Sequence, residues 1–135
     1  MEAKKPAFLA VQKMVYDVLS AKFQSVPVLD HVEENQSFPY ITIGEDEFDD
    51  VGNKTHHSDE AMVMVEIWSR AKGFSEVKSI MSDVIEALSD GANITQPEGC
   101  YIQYLNVVQM ETSRESDGIT RSGMVRIKFR VNQGD

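Results

Sequence analysis

Three histidines, one cysteine and a dense run of carboxylates are the residues of this sequence with the intrinsic chemistry of a nucleophile, an acid–base pair or a metal ligand. Catalysis needs such groups held on rigid elements at matched spacing. His31 follows a short extended segment, whereas His56 and His57 sit side by side in a polar stretch. With Asp49, Asp50 or Asp59 they have the donors of a divalent-metal site, but adjacent histidines point different ways and no His-x-x-x-His spacing fixes them. A solvated polar loop is the reading taken. The run Glu45-Asp46-Glu47-Phe48-Asp49-Asp50 lacks the alternating ligands and following glutamate of a calcium loop. Cys100, beside Tyr101 and Ile102 in a strand-like segment, reads as a small hydrophobe. The glycines are scattered singly, so no loop cradles a phosphate. The sequence therefore predicts no catalytic residue, no metal site and no cofactor.

Charge narrows the classes further. Acidic residues outnumber basic ones by 22 to 13, a net charge of -9, so the field of the molecule repels phosphate backbones and anionic membrane surfaces. Direct nucleic-acid recognition and membrane association are not expected. The apolar runs are short, and the start, Met1 to Pro6, leads into an amphipathic pattern with no leader-like apolar core. A single cysteine excludes an internal disulfide and fits a reducing cytoplasm. At 135 residues with 41% hydrophobic content, the chain has the size and composition of one folded domain, residues 1–135.

Periodicity places the elements that would position any site. Phe8, Val11, Val15, Val18, Leu19 and Phe23 recur at helical steps, predicting a helix near 6–23 with Pro6 in its first turn. A short extended piece around Val26–Val32 and a strand at Tyr40–Ile43 follow. Residues 44–60 hold almost nothing apolar, and a long mobile acidic loop is expected there. Ala61 to Trp68 is apolar on both parities, as in a central strand covered on both faces. Trp68 is expected to pack against the second helix, with an interface anchor as the alternative.

That second helix has the clearest signal, near 74–89, with Phe74, Val77, Ile80, Met81, Val84, Ile85 and Leu88 on one side and Asp90-Gly91 as its stop. Strands near 101–110 and 119–131 form a hairpin through the turn-rich Ser113–Gly118. In the last strand Val125, Ile127, Phe129 and Val131 alternate with Arg126, Lys128 and Arg130, one face buried and one cationic. The whole is α+β, two helices on one face of a mostly antiparallel sheet.

Several phrases in this order resemble the tail-completion family of long-tailed bacteriophages and prophages. They are Pro27-Val28-Leu29-Asp30-His31-Val32, Phe38-Pro39-Tyr40-Ile41-Thr42-Ile43-Gly44-Glu45, Val65-Glu66-Ile67-Trp68-Ser69-Arg70-Ala71-Lys72-Gly73 and Asp117-Gly118-Ile119-Thr120-Arg121-Ser122-Gly123. The resemblance covers most of the chain and departs from the family at the first helix, Val11 to Leu19, which is generic. It implies a small α+β structural protein related to tail terminators. It also implies a ring, commonly of six copies, at the head-proximal end of the tail tube, with the tube protein and head connector as partners and no cofactor or reaction. Tail termination is the neighbouring alternative, and a small regulatory ligand-binding module is the other.

Charge segregation points to the contact surfaces. The acids Glu45, Asp46, Glu47, Asp49 and Asp50 and the cations Arg126, Lys128 and Arg130 are candidate interface residues, the acidic segment ordering against the cationic strand of an adjacent subunit.

Overall fold

A computed structural model describes residues 8–50, 57–97 and 99–133. In chain order it contains helix α1 (Phe8–Lys22), β1 (Val28–Leu29), β2 (Tyr40–Asp50), β3 (His57–Ser69), α2 (Ser75–Ser89), a single 3-10 turn (Gly91–Asn93), β4 (Cys100–Arg114) and β5 (Arg121–Gln133). The five strands form one sheet in the order β1-β2-β3-β5-β4. β1 runs parallel to β2, and every other neighbouring pair is antiparallel. This is the α+β arrangement expected.

Both helices form where the apolar spacing places them. α1 buries Val11, Met14, Val15, Val18 and Leu19, and α2 buries Val77, Ile80, Met81, Val84, Ala87 and Leu88. The expectation for Pro6 lies outside the described residues. Side by side, the helices cover one face of the sheet, α1 over β1, β2 and β3 and α2 over β3, β5 and β4. Beneath them lie Ile41, the odd-numbered Ala61, Val63, Val65 and Ile67 of β3, and Val125, Ile127, Phe129 and Val131 of β5. Strand alternation alone puts these residues on one side. α2 approaches β5 so closely that a Cβ on Gly123 would lie 2.5 Å from Met81 Sδ and 2.6 Å from Val77 Cγ1.

The β4–β5 turn is held by one carboxylate. Asp117 Oδ1 accepts hydrogen bonds from the Ile119 and Thr120 N–H groups at 2.8 and 2.7 Å, and Oδ2 accepts the Thr120 hydroxyl at 2.6 Å. Gly118 supplies the left-handed residue of the turn, with φ at 74°.

Three expectations are corrected. Residues 44–50 and 57–60 are not a mobile loop but the far ends of β2 and β3; residues 51–56 lie outside those described. Composition weighed only apolar burial, whereas a strand is also held by its ladder. β3 is paired along its whole length with β5, from His57 opposite Gln133 to Ser69 opposite Arg121, and β2 pairs onto it as far as Asp50 opposite Asp59. Second, β3 is the central strand but, among the described residues, helices cover it on one face only. Its even-numbered residues Met62, Met64, Glu66 and Trp68 are half-buried, with Trp68 against Tyr40 and Thr42 and Met64 against Arg126 of neighbouring strands. Third, Trp68 does not meet α2. Ile67 and Ser69 take the helix side, so the indole stands on the opposite face.

Candidate assembly interface

The helix-free face of the sheet gathers the cationic residues. Arg126, Lys128 and Arg130 of β5 stand opposite Met64, Met62 and Glu60 of β3 on one flank and Gln109, Asn106 and Gln103 of β4 on the other. Glu60 lies between two of them: Arg130 Nη2 donates to its Oε2 at 2.8 Å, and Lys128 Nζ sits 3.4 Å from Oε1. The hydrogen bond from Arg130, helped by Lys128, holds the Glu60 carboxyl below the ordinary carboxylate range. Arg126 Nη2 has the Met64 sulfur at 3.9 Å. The Nε atoms of Arg126 and Arg130 are buried without a hydrogen-bond partner. The three cations thus have one close carboxylate, Glu60, among the described ion pairs.

The candidate acids lie two strands away, on β2. Glu45, Asp46, Glu47, Asp49 and Asp50 fall in the outer half of β2, with Asp49 in register with Glu60 and Asp50 with Asp59. Two successive cross-strand pairs of like sign concentrate negative charge at that end of the hairpin, a destabilising arrangement unless countercharge is near. The fold places β3 between this segment and the β5 cations. It brings Glu60 to them within one chain, a contact that sequence reasoning missed. The signal was parity, since Glu60 continues the even-numbered series Met62, Met64, Glu66 by one step.

At the other end of the open face, Phe38, Tyr40 and Trp68 form an aromatic row, with ring centroids 5.0 and 6.4 Å apart. Trp68 Nε1 donates to Thr42 Oγ1 at 3.1 Å, and the Arg70 guanidinium lies 4.3 Å from the Phe38 ring centroid. Between the two regions, burial and then the nearby Glu115 charge push the Glu66 carboxyl above its usual range.

Little of this arrangement resembles a reaction centre. His31 is exposed, 3.9 Å from Glu33. Burial raises the Cys100 thiol pKa, which disfavours the reactive thiolate. No group of three or more His, Cys, Asp or Glu among the described residues is placed to hold a metal ion, and no helix among them is long and apolar enough to cross a membrane.

The described residues thus present a half-buried sheet face without a helix and open strand edges, and comparison with known proteins defines the class as structural components of phage virions. Residues 11–132 match the family model of the tail completion protein gp17, and the chain belongs to that family. Among solved structures it is similar to a chain from the virion of a native gene transfer agent particle, at 18% identity and a TM-score of 0.73 over 90% of this chain and 94% of that one. It is also similar to gp17 of bacteriophage SPP1, at 20% identity and a TM-score of 0.59 over 96% and 94% of the two chains. At such identities these two likenesses show the fold. No curated protein sequence matches the chain. The family is one of structural tail proteins of the virion, which is not a class of enzymes.

Proposed function

We propose that copies of this chain form a ring, of six subunits in the assembled particle, at the head-proximal end of the tail tube, where they join the tube to the head connector. The observation that carries this reading is the family match over residues 11–132. The molecule's surface supports it: cations along β5, acids along the outer half of β2, and, among the described residues, two unfinished sheet edges. Sorted charges of this kind steer encounter and fix register between protein surfaces more than they add raw affinity. The partners are neighbouring copies, the tail-tube protein and the connector. Assembly takes place in the host cytoplasm, and the finished protein resides in the virion tail.

The test is electron microscopy of particles made without this chain. The expected picture is filled heads and separate tails of normal length. Tails of uncontrolled length would instead assign the chain to termination of tube growth, and normal joined particles would remove it from assembly altogether.

A further inference from the structure

We infer that neighbouring copies of this chain join edge to edge, the outer side of β4 in one copy pairing antiparallel with the outer side of β2 in the next. The inference rests on the ring reading above and names the surface that builds the ring.

The sheet order leaves β4 as one full edge. At the other end β1 pairs with β2 only at Ile41 and Thr42, so among the described residues β2 meets no outer strand from Ile43 to Asp50. An exposed edge is a template for another strand, and proteins guard against this with lysine, proline, short length or β-bulges. Of these guards β4 has only bulges. It is 15 residues long, contains no lysine or proline, and exposes Tyr101, Val108 and Met110 at 54%, 45% and 60%. Two bulges interrupt its pairing with β5, between Tyr104 and Asn106 and between Val107 and Gln109.

One point of that edge is already closed. Gln96 accepts from the Ile102 N–H at 2.6 Å and donates to the Ile102 carbonyl at 2.9 Å, as a strand would. Beyond it, the side-chain bonds to this strand's backbone among the described residues are two local ones, Asn106 to the Val107 carbonyl at 3.3 Å and Ser113 to that of Arg114 at 3.5 Å.

Strand direction selects the partner edge. β2 and β5 run one way, and β3 and β4 the other. Copies standing side by side in the same orientation therefore bring β4 against β2 antiparallel, extending the ladder type of the rest of the sheet. Pairing of two different edges is heterologous, the kind of contact that closes into a ring when the rotation between copies allows it, whereas a two-fold dimer would use one edge twice.

Side chains and charge fit the same arrangement. Met110 is in register with Val125, on the helix side. A groove of about 570 Å³ lined by Leu9, Tyr16, Leu29 and Ile43 opens on the helix side of the β1–β2 end, with Leu9 80% exposed. A continued sheet puts Met110 of one copy on the same side as that groove in the next. It also brings the acidic run of β2 beside Gln103, Asn106 and Gln109, which carry no charge, with Arg130, Lys128 and Arg126 one strand further in.

Cysteine cross-linking in assembled tails tests the pairing. In a Cys100→Ser background, Val108→Cys is combined in turn with a cysteine at each of positions 45 to 50, and purified tails are oxidised. The expected result is a ladder of covalent multimers ending in a closed ring for at least one pair, with none from Val108→Cys alone. Covalent dimers from Val108→Cys alone would mean β4 meets β4 and would overturn the inference. Rings visible in the tails without a cross-link at any of the six positions would overturn it while leaving the ring reading intact. Absence of the chain from tails in which the unmodified protein is also missing would overturn both.

Discussion

The two faces of the sheet are made by the same strands and differ in nearly everything else. On the helix side Val65, Ile67, Val125, Ile127 and Phe129 are all fully buried beneath α1 and α2. On the other side their immediate neighbours Met64, Glu66, Met124, Arg126 and Lys128 are half-buried without any helix above them. One face is the core of the subunit, and the other keeps apolar and charged groups half-exposed.

Substitutions on the two faces should separate these roles. The largest effect is expected for Val84→Asp, which places a carboxylate without a partner in the fully buried helix–sheet core. A loss of about 4 kcal/mol or more follows from the cost of burying an unpaired charge. Urea unfolding should show little cooperative transition, and a normal midpoint would refute the core assignment.

Adjacent residues of β3 give a sharper contrast. Val65→Ala removes two methyl groups from the fully buried side and should cost about 2 kcal/mol. Met64→Ala removes more atoms from the half-buried side and should cost less than about 1 kcal/mol in the free subunit. Equal losses in paired thermal melts would mean the open face is as much a core as the covered one.

The β4–β5 turn adds a pH test. Hydrogen bonds from the Thr120 hydroxyl and from the Thr120 and Ile119 N–H groups lower the Asp117 pKa from 3.8 to about 2. Because the folded value is depressed, the stabilisation is complete above pH 4 and is lost as pH falls toward 2. Asp117→Asn should flatten this part of the stability–pH curve, and an unchanged slope in acid melts would deny the turn its role.

The smallest effect on stability should accompany the largest effect on assembly. Asp49→Lys with Asp50→Lys replaces two like-charge cross-strand pairs, against Glu60 and Asp59, with opposite charges. The melt of the purified subunit should stay within about 1 kcal/mol of the parent, the usual scale for surface charges. Complementation should yield heads and tails that do not join. Normal infectious yield with a normal melt would take this segment out of the assembly mechanism.

Helix and strand positions were legible because each depends on local spacing: Val77, Ile80, Met81, Val84 and Leu88 mark one helical stripe, and the odd residues of β5 mark one strand face. The length of the β2–β3 hairpin was not legible. Its acids bury little, and their order comes from backbone ladders with strands distant in sequence. The fate of Trp68 was hidden for a similar reason. With apolar residues on both parities of β3, only the packing of the helices decides which set is covered.

The sequence by itself determined the α+β class, the two amphipathic helices, the cationic stripe of β5 and the family phrases, all of which are properties of neighbouring residues. Only the tertiary structure decided that Glu60 lies between Arg130 and Lys128, and that, among the described residues, one sheet face stays open and β4 and the outer part of β2 end the sheet as edges. Those outcomes depend on strand order and on where two helices have room to pack, and neither quantity is written in local spacing.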